Sequence, residues 1–335
     1  MRPRVLVTHW VQPEVVAFLE EFSVVDRPTT EGDVFTREEI RSRGRTADAL
    51  LVCMADMVDG ALLDDCPRVR VVAAAVKGSN TIDVEDCSRR NIWVTTCPDL
   101  LTAGTAELAV TLMLALGRRL NEAQRLLRED FQGWRPRLLA PGLAGATAGL
   151  LGMGRLGRAV ARRLQGFDMA LVYHDLHPPP PEDEDALGVV ACGLDDLLAE
   201  SDYVVVLVPL TDRTRGLLGA TRIAAMKPGA FLVNCARGSV VDETAVAVAL
   251  EEGRLGGYGA DVFAMEDWRL PDRPRTIPEI LLRQGDRVVL TPHIGSAVVE
   301  TRRRIGLSAA GQIRAVFEGT RPSMAINDVQ QREQG

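Results

Sequence analysis

The stretch AGLLGMGRLGRAVARRL constrains the fold more than any other part of the chain. Its first half is apolar and reads as a buried strand. It turns at Gly152, Met153, Gly154, Arg155, Leu156 and Gly157, then continues with apolar Leu156, Val160 and Leu164 at helical spacing. G-x-G-x-x-G set between a strand and a helix is the turn that receives a dinucleotide pyrophosphate. Gly152 permits the tight turn, Gly154 lets phosphate approach the backbone, and Gly157 lets the helix pack on its strand. The helix start offers free N–H groups and a positive dipole end. A second strand, MALVYHD, ends at Asp175, close to the ~20-residue offset expected for the acid that binds the adenosine ribose. A carboxylate there accepts from the ribose hydroxyls and repels a 2′-phosphate. The acidic run PPPPEDED follows, so the expected cofactor is NAD rather than NADP. Arg155, Arg158, Arg162 and Arg163 on the helix read as a solvated face, not as a 2′-phosphate site.

Three further residues lie far apart: Arg237 in NCARGSVVDE, Glu266 in ADVFAMED and His293 in LTPHIG. Each follows an apolar run (AFLVN, GGYGADVF, RVVLT) that reads as a short buried strand. Ligands of open α/β sheets bind at the carboxyl ends of the strands. Arg holds an oxyanion bidentately, His passes a proton near neutral pH, and a carboxylate fixes the tautomer and basicity of that His. The competing reading is three unrelated surface residues. The cofactor motif argues against it, because it supplies what such a site needs.

The 335 residues are enough for two domains with real cores. A net charge of −7, with no concentrated basic stretch, argues against nucleic acid as a partner. Arg302-Arg303-Arg304 reads as a helix face. No apolar stretch is long enough to span a membrane, and MRPRVLVTHW has no signal-peptide pattern, so a cytoplasmic location is expected. The six cysteines (53, 66, 87, 97, 192, 235) show no CxxC grouping and read as reduced core residues. His174 and His177 form an H-x-x-H without neighbouring ligands, so no metal is expected. His9 follows the first strand with no evident partner. Only two lysines occur, Lys77 and Lys227. Lys227 sits in a turn entering a strand. Lys77 closes the strand VRVVAAAV just before Gly78; it is either a strand-end charge or a compact cation for a small anion.

Along the first hundred residues strand and helix alternate: RVLVTHW, PEVVAFLEEF, ALLVCM, a helix around Gly60–Cys66, VRVVAAAV and NIWVTT. A long helix is expected from about Thr105 to Leu127, then a loop, DFQGWRPRLLAPG. The cofactor unit runs from about Gly145 to His293, with strands ALVYHD, YVVVLVPL, FLVNCA, GYGADVF and RVVLTPH. An amphipathic helix spans Val298 to Phe317.

The order GMGRLG, VPLTDRTRGLL, NCARGSVVDE, GADVF, Glu266 and TPHIG resembles the D-2-hydroxyacid dehydrogenase family over nearly the whole chain. The resemblance implies an α/β fold of two doubly wound Rossmann-like domains, the cofactor domain inserted into a discontinuous substrate domain. It places the substrate domain at 1–100 plus 298–335 and the NAD-binding domain at 101–297. A dimerisation arm at about 105–142 crosses to the partner of a homodimer. It makes Arg237, Glu266 and His293 the catalytic set, and lines NAD with Thr105, Arg155, Leu156, Asp175, Pro209, Cys235 and Asp261 beside the three glycines.

Within that family VAAAVKGSNTID, DLLTAGTAELA, FQGWRP, FAMEDW with DRP, and PHIGSAV are similar to phosphonate (phosphite) dehydrogenases, which oxidise phosphite to phosphate with NAD. This narrower resemblance gives Lys77, with Gly78 beside it, the role of holding the phosphite dianion opposite Arg237. It places Met54, Trp134, Ser296 and Arg302 at or near the pocket. The chain departs from that branch at Leu139, where an aromatic is usual, and at Ser79 and Asn80, where a bulkier residue and an Asp are usual. Smaller side chains there would enlarge the pocket towards a larger phosphonate substrate, such as a phosphonate-bearing 2-oxo acid or aldehyde. The expected activity is phosphite oxidation; the alternatives are a D-2-hydroxyacid dehydrogenase or reductase and, in a different class, an NAD-sensing binding protein. The last would need an interaction tail or basic surface, and the sequence shows neither.

Overall fold

The structure is a computed structural model that describes residues 2–97, 99–129, 131–134 and 136–329. The chain divides into two compact units, one formed by the segment up to Leu101 together with that from Ser296, the other by Thr102–Gly295.

The first unit holds strands β1 (Arg4–Val7), β2 (Val24–Asp26), β3 (Ala49–Val52), β4 (Val71–Ala74) and β5 (Trp93–Thr95), in the order β2-β1-β3-β4-β5. All pairs are parallel. Every residue of β3 and β4 is buried, as expected of a parallel sheet covered by helices on both faces. On one face the helices Pro13–Glu20 and Val299–Phe317 supply Val15, Leu19, Ile305, Ala309 and Ile313. On the other lie Ile40, Leu62, Leu63, Ile82 and Cys87.

The second unit holds β6 (Thr147–Leu151), β7 (Ala170–His174), β8 (Val189–Ala191), β9 (Tyr203–Val206), β10 (Phe231–Asn234), β11 (Gly257–Ala260) and β12 (Val288–Leu290). Their order is β12-β11-β10-β9-β6-β7-β8, again parallel throughout. The strand order reverses between β6 and β9, the topological switch point where an open α/β sheet leaves a crevice for a ligand. Both sheets bear out the doubly wound reading. Sequence inspection missed β2 and β8, partly exposed edge strands of only three residues.

The long helix expected from Thr105 to Leu127 is two helices, Thr102–Gly117 and Leu120–Glu129. Gly117 packs so tightly that a Cβ there would lie 2.2 Å from Tyr203 Oη, and the chain then bends at Arg119 with φ 52°. The second helix buries none of its residues. The expected start of the C-terminal helix at Val298 is its N-cap, one residue early. No helix among the described residues is long and apolar enough to cross a membrane.

Candidate active site

The glycine turn joins β6 to the helix Arg155–Leu164. Gly152 has φ 109°, a conformation that a side chain disfavours. A Cβ on Gly157 would lie 2.1 Å from Gly152 O, so the turn closes only with glycine there. A Cβ on Gly154 would meet nothing within 4 Å; that open side is the path for a pyrophosphate. Arg155 is exposed and Leu156 half-buried at the helix start. The Asp175 carboxylate accepts from Met153 N at 2.6 Å and from His177 N at 2.8 Å, which fixes it at the lip of the turn. These residues fit a dinucleotide. Pro209 is exposed beyond β9, and its carbonyl accepts from Thr214 Oγ1. Cys235 is buried at the end of β10, and burial pushes its thiol up.

β10, β11 and β12 are neighbours, so the loops that leave their carboxyl ends share one edge. This adjacency brings Arg237, Glu266 and His293 towards one another despite their sequence separation. His293 Nδ1 hydrogen-bonds Glu266 Oε2 directly. Glu266 Oε1 accepts from Phe263 N at 2.9 Å, which orients the carboxylate. His293 sits at φ 56°, left-handed for a non-glycine residue, a conformation that surrounding contacts must enforce. Asp261 supplies them: its carboxylate accepts from Thr291 Oγ1, Ile294 N and Gly295 N at 2.6–2.8 Å. Burial raises the Asp261 carboxyl against the lowering effect of those bonds. A Cβ on Gly295 would lie 3.0 Å from Asp261 Oδ2 and 3.1 Å from Thr105 Oγ1, so the structure gathers Thr105, Asp261 and the His293 loop.

The Arg237 guanidinium is half-buried, and burial lowers its pKa against the pull of Asp267 and Glu266. It donates to Ala236 O at 2.7 Å, and among the described residues no carboxylate comes close enough for an ion pair. A poorly hydrated cation of this kind, beside a carboxylate-braced imidazole, is suited to a small anion.

Of the remaining sequence-predicted residues, five belong to the first unit. In the first unit Lys77 is exposed, Gly78 and Met54 are half-buried, and Ser296 is buried. Arg302 donates to Ala75 O at 3.2 Å and to Cys53 Sγ at 3.5 Å, at the carboxyl ends of β4 and β3. In the second unit Trp134 and Leu139 are 87% and 79% exposed. His9 has a partner that the sequence did not reveal: Nε2 lies 3.2 Å from Asp56. The H-x-x-H pair holds no metal geometry, His174 Nδ1 meeting Cys192 O instead; no metal-holding group occurs among the described residues. Sequence reading also passed over Glu243 and Asp267, carboxylates buried beside Arg237 and Glu266. The signal for them was a charged residue in an otherwise buried stretch, VVDETAVAVAL and DVFAMED.

Comparison with known proteins agrees with this layout. Residues 110–295 match the model of the D-isomer specific 2-hydroxyacid dehydrogenase NAD-binding domain. The chain is 38% identical over 333 residues to a glyoxylate reductase of Thermococcus kodakarensis, covering 98% of this chain and 97% of that protein. Among solved structures, the TT0316 protein of Thermus thermophilus superposes with a TM-score of 0.85 at 36% identity, covering 97% of this chain and 100% of that one. An NADPH-dependent glyoxylate/hydroxypyruvate reductase of Sinorhizobium meliloti, in complex with NADP and malonate, gives 0.82 at 31%, covering 100% of each. The chain belongs to the D-isomer specific 2-hydroxyacid dehydrogenase family. It is an oxidoreductase with an NAD-binding domain. The Thermococcus and Sinorhizobium relatives are named glyoxylate reductase and glyoxylate/hydroxypyruvate reductase, so the comparisons support the family and not its phosphite-oxidising branch.

Proposed function

We propose that the protein reduces a small 2-oxo acid of the glyoxylate type to the corresponding 2-hydroxy acid with NADH, and oxidises that product in reverse. The observation that carries this reading is the half-buried Arg237 guanidinium, unmatched by a carboxylate among the described residues, beside the His293–Glu266 pair. Arg237 binds the substrate carboxylate and orients the carbonyl. Bound NADH supplies the hydride to the carbonyl carbon. His293, with Nδ1 engaged by Glu266, has Nε2 left to deliver a proton to the carbonyl oxygen. Glu266 stabilises the imidazolium before transfer. The sum is 2-oxo acid, NADH and a proton giving 2-hydroxy acid and NAD⁺. NADH consumption with glyoxylate and hydroxypyruvate tests the proposal; absence of turnover with either overturns it.

The second reading, phosphite oxidation, rests on the KG, QGWRP and MEDW motifs and on Lys77 at the end of a strand in a chain with two lysines. Arg237 and Lys77 then hold two oxygens of the dianion. His293 takes a proton from the attacking water as the P–O bond forms and the P–H hydride departs to NAD⁺. NADH formation with phosphite distinguishes it. Under this reading Lys77→Ala raises the phosphite KM by about 10–100-fold, the loss of one charge-assisted contact of ~1.5–3 kcal/mol. Unchanged KM leaves Lys77 a strand-end charge. Either chemistry runs in a homodimer joined through the exposed arm.

A further inference from the structure

The loops bearing Arg237 and Glu266 are tied together by two carboxylates that reach in opposite directions. Glu243, at the first position of the helix Glu243–Glu251, is 4% exposed. Its Oε1 accepts from Ala264 N at 2.7 Å, two residues before Glu266. Asp267, next to Glu266, is also buried, and its Oδ2 accepts from Ser239 N at 2.8 Å, two residues after Arg237. Each loop therefore sends one carboxylate to a backbone amide of the other. Between these ties the backbones touch: a Cβ on Gly238 would lie 1.8 Å from Phe263 C and 2.0 Å from Ala264 N. Two further bonds close the Arg237 side, where buried Asn234 donates to Arg237 O at 3.0 Å and accepts from Ala236 N at 3.1 Å.

We infer that Glu243 and Asp267 are positioning residues, a reciprocal clamp that sets the separation of Arg237 from the Glu266–His293 pair. The inference rests on the reading of those three as the catalytic set. Physical reasons support it beyond the hydrogen bonds. Two acids placed close to Glu266 and to each other repel, and burying them costs free energy unless each is well bonded. Glu243 Oε2 has no hydrogen-bond partner, so this carboxylate is held at a cost that packing alone does not require; an apolar side chain would fill the same space more cheaply. What an apolar side chain lacks is an acceptor for Ala264 N–H. That amide opens the short turn Ala264–Glu266, whose geometry aims the Glu266 carboxylate at His293.

Glu243→Ala removes the acceptor, whereas Glu243→Gln keeps one oxygen for Ala264 N–H and drops only the charge. The first readout needs no substrate. The proton between His293 Nδ1 and Glu266 gives a downfield imidazole resonance, assigned by its loss in His293→Asn. That resonance persists in Glu243→Gln and is lost or broadened in Glu243→Ala. The second readout is kinetic, with whichever substrate the wild type turns over. In Glu243→Ala kcat falls about 10–100-fold, as a displacement near 1 Å costs, while NADH affinity measured by fluorescence is unchanged; Glu243→Gln recovers to within about threefold of wild type. Should Glu243→Ala fail to fold, Glu243→Asp, one methylene short of the amide, gives the same readings. A Glu243→Ala or Glu243→Asp protein with the wild-type resonance and kcat, altered only in melting temperature, overturns the clamp. A wild type inert towards 2-oxo acids and phosphite overturns the proposed function, and the resonance still decides the clamp.

Discussion

In the proposed reaction His293, held at Nδ1 by Glu266, carries the proton transfer. His293→Ala lowers kcat by about 10²–10⁴-fold, the usual contribution of a positioned acid–base, and leaves NADH binding intact. A variant that keeps more than about a tenth of wild-type kcat removes His293 from the mechanism. Under the ribose reading, Asp175 governs cofactor choice. With its carboxylate fixed at the lip of the glycine turn, Asp175→Ala raises NADPH use relative to NADH, because repulsion of the 2′-phosphate is gone. A wild type that already prefers NADPH refutes the ribose assignment. Glu243 makes stability depend on pH. Burial pushes its carboxyl up to about 7, opposed by the Ala264 amide and reinforced by Glu266, Asp267 and Asp242; the Tyr258 phenol, raised chiefly by its own burial, also feels the Glu243 charge. A folded value above the ordinary 4.5 means that the stabilisation is complete below about 4.5 and lost as pH rises through about 7. Glu243→Gln does not titrate, so its stability relative to wild type grows between pH 5 and 8, by at most about 3 kcal/mol. Urea unfolding at the two pH values measures it; equal differences at both contradict the assignment.

At the scale of elements, the carboxyl ends of β10, β11 and β12 do the assembling. Parallel neighbours deliver their following loops to one edge, so residues distant in sequence meet without a long-range motif. The helix Leu120–Glu129 behaves differently. It buries nothing within the chain, yet Leu120 and Leu127 on it, and Phe131 and Trp134 after it, are largely exposed. Apolar exposure concentrated on one arm fits contact with a second copy. Leu127→Glu therefore weakens self-association by about tenfold or more, since a buried leucine is worth ~1.5–3 kcal/mol. Sedimentation velocity reads this directly, and a wild type that is monomeric at micromolar concentration rules the arm out as a dimer contact.

Over the whole molecule, the parts legible beforehand were those whose chemistry is local. The G-x-G-x-x-G turn needs glycine at Gly152 for its φ of 109° and at Gly157 for its contact with Gly152 O, reasons contained within a dozen residues. Buried strands such as ALLV, VVAA and FLVN announce themselves as apolar runs because both faces of a parallel sheet are covered. Arg237, Glu266 and His293 stood out as charged or titratable residues just past such runs. Tertiary structure alone decided the rest. The need for glycine at Gly117, two residues before the break at Arg119, comes from Tyr203, far along the chain. The pairing of His9 with Asp56 depends on β1 lying beside β3. Glu243 and Asp267 look like ordinary helix-start and turn acids until β10 and β11 pair and place each next to a backbone amide of the other's loop. Periodicity and motif spacing record which atoms each segment must hide or offer; which partner receives them is set when distant segments pack, because a buried amide donates to any acceptor that the fold brings within reach.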